Sequence, residues 1–145
     1  MLQLDQCGRC IPDYALFGPL RPSPWWLPRL VNLSLSGACR LSDKGLHVLV
    51  SSAPSLRSIN LSQCSLLSSV SVNILAQSLG SLLKELYLDD CLTIDAAQIV
   101  PALKKLEHLE VLSLAGIQTV SDEFIGDYIT ARGQNMKELV LKDCR

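Results

Sequence analysis

The chain carries one short pattern five times at a nearly constant spacing, and that repetition limits its fold more than any other feature. The copies are LVNLSLSGAC from Leu30, LRSINLSQC from Leu56, LKELYLDDC from Leu83, LEVLSLAGI from Leu109 and MKELVLKDC from Met136. Successive starts lie 26, 27, 26 and 27 residues apart, and LQLDQC at Leu2 reads as the tail of another copy. A unit this short cannot bury an apolar face alone, whereas a stack of such units can, so the period implies an array with one continuous core. The shared template is L-x-x-L-x-L-x-x-C.

Within that template each copy supplies one short strand, and the strands stack in parallel about 4.8 Å apart with their leucines directed inward. The cysteine closes the strand. Cys7, Cys39, Cys64, Cys91 and Cys144 hold this place, and Ile117 takes it in the LEVLSLAGI copy. A position shared by a thiol and an isoleucine is a packing position, with the thiol free to meet loop backbone groups. The SGAC copy has one residue more before Cys39, read as a small bulge.

Helices are expected to return the chain between strands. LSDKGLHVLVSSAPSL offers Ser42 as N-cap and Leu46, Leu49 and Val50 as the buried stripe, ending before Pro54. SSVSVNILAQSLGSLL places Val70, Ile74, Leu75 and Leu79 on one face, with Ser68 or Ser69 as cap and Gly80 as the stop. SDEFIGDYITARGQN repeats the plan with Ser121 as cap, Phe124, Ile125, Tyr128 and Ile129 inward, and Gly133 at the end. Pro101 falls inside IDAAQIVPALKKLEHL, so a break or restart is expected there.

These features resemble the cysteine-containing class of leucine-rich repeats, and the resemblance covers nearly the whole chain. The class is similar to the repeat arrays of F-box substrate receptors in ubiquitin ligases. GACRLSDKGL, LRSINLSQCSLL and LKKLEHLEVLSLAGI are similar to plant relatives of the leucine-rich repeat subunit of the yeast nucleotide excision repair complex. The resemblance implies an α/β leucine-rich repeat solenoid, a horseshoe with a parallel concave β-sheet and convex helices, formed by residues 1–145 as a single domain. It implies a non-enzymatic protein-protein interaction scaffold, recognising substrates in a ubiquitin-ligase or DNA-repair complex. The array starts and stops within a repeat and lacks an F-box, so the expectation is a fragment of a longer array whose flanks carry any ligase adaptor site.

Composition sets the excluded classes. Thirteen basic and fourteen acidic residues among 145 leave a net charge of −1, so no global positive field draws the chain to nucleic acid or an anionic membrane. No apolar run approaches the roughly 20 residues of a spanning helix. MLQLDQCGRC has no basic and apolar leader, so the six cysteines read as reduced thiols of a nuclear or cytoplasmic protein.

Three constellations remain to be weighed beside the repeat template. LFGPLRPSPWWLPRL, with Pro19, Pro22, Pro24 and Pro28, excludes a regular helix. Its Trp25 and Trp26 are read as cover for the core under the first repeat, with a loop anchor for a partner as the alternative. Cys7 and Cys10 form CGRC, the spacing of thiol oxidoreductases and half zinc sites. Cys7 already belongs to the repeat and no second pair follows, so neither metal nor cofactor is expected. His47 and His108 stand in no G-x-S-x-G or H-E-x-x-H context and read as solvated side chains.

The expected binding surface is therefore the concave strand face, where residues between the leucines project in a grid. Its partner-binding candidates are Ser58, Asn60, Ser62, Glu85, Tyr87, Asp89, Asp90, Glu138, Lys142 and Asp143, with Gln63 beside them. Five acids against Lys142 favour a protein with a basic segment and repel a phosphate backbone, so a DNA-contacting repair module is the weaker alternative. Tyr87 is the expected anchor.

Overall fold

The computed structural model describes residues 2–3 and 29–144, with residues 2, 3 and 133 as backbone only. CGRC, Trp25, Trp26 and the four prolines from 19 to 28 lie outside these residues. The described elements are β1 (Leu2–Gln3), β2 (Asn32–Ser34), α1 (Asp43–Ser52), β3 (Ser58–Asn60), α2 (Val70–Leu79), β4 (Glu85–Tyr87), α3 (Ala96–Lys105), β5 (Val111–Ser113), α4 (Asp122–Arg132), a 3-10 turn (Gly133–Asn135) and β6 (Glu138–Val140). The six strands form one parallel sheet in chain order. The register follows the repeat: Asn32 pairs with Ser58, Ser58 with Glu85, Glu85 with Val111 and Val111 with Glu138. Leu2 pairs with Leu33 in the register of the template, and the rest of the LQLDQC fragment lies outside the described residues.

Each helix packs on its neighbours in the same order as the strands. Between sheet and helices runs a single apolar core that includes Leu33, Ile59, Leu86 and Leu112 from the strands and Leu46, Leu75, Ile99 and Phe124 from the helices. This is an α/β fold in which one strand, one turn and one helix recur along the chain.

The turn after each strand is held by a recurring pair of backbone bonds. The N–H groups of Leu35, Leu61, Leu88 and Leu114 donate to Asn60, Tyr87, Ser113 and Val140 at 2.8–2.9 Å. Two residues on, Gly37, Gln63, Asp90 and Gly116 donate to Ser62, Asp89, Ala115 and Lys142 at 2.7–2.9 Å. Gly37, Gln63, Asp90, Gly116 and Asp143 all have φ between 57° and 80°, so the chain turns through the left-handed region at one fixed place per unit. The slot for the closing residue follows directly. Cys64, Cys91 and Ile117 fill it, each with its N–H on the carbonyl of the leucine that follows the strand.

That geometry corrects the reading of Cys39. Ala38 makes the equivalent bond to Leu35 and is buried, while Cys39 lies one residue further and is half-buried. No bulge is needed, because the template counts nine residues from Leu30 to Ala38. In the slot, the thiols of Cys64, Cys91 and Cys144 donate to the carbonyls of Leu35, Leu61 and Leu114 in the preceding unit, at 3.3, 3.1 and 3.1 Å. The cysteine thus packs as a hydrophobe and also satisfies a buried carbonyl.

Helix α1 matches its expectation, with Ser42 Oγ accepting from the Gly45 N–H and Leu46, Leu49 and Val50 buried. In α2 the inward face is Ser71, Val72, Leu75, Ala76 and Leu79. Val70, expected inward, is 53% exposed, and Ile74 is half-buried. Val72 instead completes the 3.6-residue frame set by Leu75, Ala76 and Leu79. Gly80 ends α2 with φ −56°, and a Cβ there would stand 2.5 Å from the Ala76 carbonyl oxygen, so close approach explains this glycine. In α4, Phe124 and Tyr128 are buried with ring centroids 6.1 Å apart. Ile129, expected inward, is 48% exposed because no described helix packs on the far side of α4.

Helix α3 runs unbroken through Pro101, against the expected break. Pro101 and Ala97 are both exposed, so the carbonyl that loses its amide partner faces water. Proline in a helix interior costs about 3 kcal/mol. Ile99, Val100 and Leu103 on the inner face are buried, and each such side chain contributes about 1.5–3 kcal/mol, so packing outweighs the lost bond.

Candidate functional site on the open face of the sheet

Strand residues alternate, so the leucine rows face the helices and the residues between them face away. Two rows result. Asn32, Ser58, Glu85, Val111 and Glu138 form one; Ser34, Asn60, Tyr87, Ser113 and Val140 form the other. Of the expected partner-binding residues, Ser58, Asn60, Glu85 and Tyr87 are half-buried on this face, and Glu138 is exposed. Half-buried Asn32 and buried Ser34 share this face and were missed in the sequence. They hold the same template positions in the copy from Leu30, so the signal was present.

The turn candidates divide. Asp90, Lys142 and Asp143 are exposed. Ser62 and Asp89 do not project freely as expected. Ser62 is 7% exposed, and its Oγ accepts from the Asp89 N–H at 3.1 Å. Asp89 in turn accepts from the Ser113 hydroxyl and from the Ala115 N–H at 2.9 Å. The side chains at this template position lean over the next turn and tie unit to unit, because buried donors there need acceptors.

Charge converges on Tyr87. Its hydroxyl donates to Glu85 Oε1 at 2.7 Å. Partial burial, the Glu85 bond and the charges of Glu85, Glu138 and Asp89 push the Tyr87 hydroxyl up to about 12, so it stays a donor at neutral pH. The cysteines beneath are inert by the same reasoning. Burial raises Cys64 to about 12 and Cys91 to about 11, far from the thiolate range of reactive cysteines.

A hollow of about 300 Å³ lies on this face among Asn32, Leu33, Ser34, Ser58, Asn60, Glu85 and Tyr87. A larger one, about 650 Å³, lies at the loops entering the strands, among Lys84, Glu107, His108, Glu110, Arg132 and Lys137. There Lys137 pairs with Glu110 at 3.2 Å, and Arg132 donates to the Lys104 carbonyl. The open-face hollow lies among the expected partner-binding residues Ser58, Asn60, Glu85 and Tyr87, which makes it the recognition candidate. His47 is exposed on α1 with Ser51 Oγ at 3.3 Å. Lys104, in the last turn of α3, bridges to Asp127 of α4 at 2.9 Å. Among the described residues no three His, Cys, Asp or Glu side chains gather as metal ligands do, and no helix is long and apolar enough to cross a membrane.

The fold and this face define the class: an α/β array of recurring strand, turn and helix with an open parallel sheet. A chain in the crystal structure of the Rad7 and Elc1 complex in yeast has a similar fold, with a TM-score of 0.76 and 22% identity over 94% of this chain. The present chain spans 32% of that neighbour's length. No family model and no curated protein matches the sequence.

Proposed function

We propose that the chain is a leucine-rich repeat solenoid acting as a non-enzymatic protein-interaction scaffold in the nucleus or cytoplasm. It recognises a protein through the concave sheet face, in the setting of a ubiquitin-ligase or DNA-repair complex. The observation that carries this reading is the pair of straight side-chain rows on the open face, with carboxylates converging on Tyr87. A face with Glu85, Asp90, Glu138 and Asp143 against Lys142 complements a basic protein segment and disfavours a phosphate backbone. The fold of the yeast neighbour, which occurs in a complex with another protein, supports the same kind of role.

The test compares proteins co-purifying with the wild-type chain and with two charge variants. Glu85→Lys with Glu138→Lys alters the open face; Gln77→Lys with Ser78→Lys alters the exposed side of α2. Circular dichroism first establishes that both fold. The open-face variant should lose a partner about tenfold or more, while the α2 variant retains it. The reverse pattern refutes the proposal.

A further inference from the structure

The hollow on the open face is built so that one kind of side chain fits it. Asn32 and Ser34 on β2 and Ser58 and Asn60 on β3 make a low floor of small polar groups, and Glu85 and Tyr87 on β4 rise beside it. This step exists because Ser58 pairs with Glu85 and Asn60 with Tyr87 across adjacent strands. The Tyr87 hydroxyl holds Glu85 by its Oε1, and Oε2 of Glu85 makes no hydrogen bond among the described residues. Among the described residues, no Lys or Arg lines the hollow.

We propose that this hollow receives an arginine side chain of the bound protein, its guanidinium paired with Glu85 and its plane laid against the Tyr87 ring. The inference rests on the reading of the open face as the binding surface. An acidic side chain would meet the negative potential of Glu85, Glu138 and Asp89, and a neutral one would leave Glu85 covered without a counter-charge. A lysine supplies only a compact, strongly hydrated charge, whereas a guanidinium stacks on an aromatic ring while spreading donors toward several acceptors. Glu85 and Ser58 offer such acceptors on adjacent strands, while Asn60 Oδ1 already accepts from the Ser62 N–H at 2.9 Å.

The test is an NMR titration of the full chain with N-acetyl-L-arginine amide, compared with the corresponding lysine and citrulline amides. Arginine should give saturable shifts at the amides of Ser58, Asn60, Glu85 and Tyr87. Lysine should bind about fivefold more weakly, and citrulline should give no shifts there. Glu85→Gln should weaken arginine binding about fivefold or more, while Glu107→Gln, far from the hollow, leaves it unchanged. Equal shifts with citrulline, or no saturable shift at these amides, overturns the assignment. Should that happen while Glu85→Lys with Glu138→Lys still loses its protein partner, the scaffold reading survives and only the arginine assignment falls. Specific arginine binding without any partner loss has the opposite meaning.

Discussion

Replacing Asp89 by alanine should destabilise the chain much more than replacing any other open-face acid. The Asp89 carboxylate accepts from the Ser113 hydroxyl and the Ala115 N–H, and thereby joins the turn after β4 to the strand and turn of the next unit. Ser113 is 3% exposed, so water cannot replace the lost acceptor there. Hydrogen bonds to a charged group are each worth about 1.5–3 kcal/mol. Ala115 and Asp89 are only half-buried, and water recovers part of the second bond, so the sum falls to about 2–4 kcal/mol. With a urea slope of about 2 kcal/mol/M, the midpoint followed by circular dichroism should drop about 1–2 M. Asp89→Asn keeps a carbonyl oxygen as acceptor and should cost about 1 kcal/mol. Glu138→Gln, on an exposed side chain, should stay within about 0.5 kcal/mol of wild type. An Asp89→Ala midpoint equal to that of Glu138→Gln would refute the structural role given to Asp89.

Tyr128 is buried and its hydroxyl has no hydrogen-bond partner among the described residues, so Tyr128→Phe should stabilise the chain by about 1 kcal/mol in the same urea assay. Native alkylation with iodoacetamide at pH 8, mapped by peptide mass spectrometry, should label half-buried Cys39 well before Cys64 and Cys91, whose burial raises them to about 12 and 11. Stability should fall as pH rises from about 9 towards 12. Cys64 and Cys91 move up from 9.0, and Tyr87 and Tyr128 from 10.0 to about 12. The unfolded chain therefore releases these protons first, and the full stability is present only below pH 9. Urea midpoints at pH 8, 10 and 11 check this, and a rising midpoint contradicts it.

The strands and their register were legible because the leucine spacing repeats with almost no variation, and a parallel stack converts a constant period directly into strand pairing. Cys39 misled because cysteine was matched to cysteine. The structure instead keeps the left-handed residue constant, at Gly37, Gln63, Asp90, Gly116 and Asp143. No residue type announces that position, since glutamine and aspartate share it with glycine. Helix faces were less legible. Val70 and Ile129 are apolar and near the right phase, but their burial depends on neighbouring helices rather than on their own period. Pro101 was judged by local backbone cost, and tertiary packing decided the outcome. On the open face, strand residues followed the alternation. Ser62 and Asp89 did not, because the turn draws their side chains across to the next unit, a contact between residues 24–27 apart that no local pattern records.

The face used for recognition can be tested directly by placing photo-reactive p-benzoylphenylalanine at Glu138 on the open face, or at Gln77 on the exposed side of α2, and irradiating each protein in cell extract. Recognition through the open face should give a specific cross-linked protein from position 138, lost with Glu85→Lys in the same chain, and none from position 77. A specific adduct from position 77 alone would place recognition on the helices and contradict it.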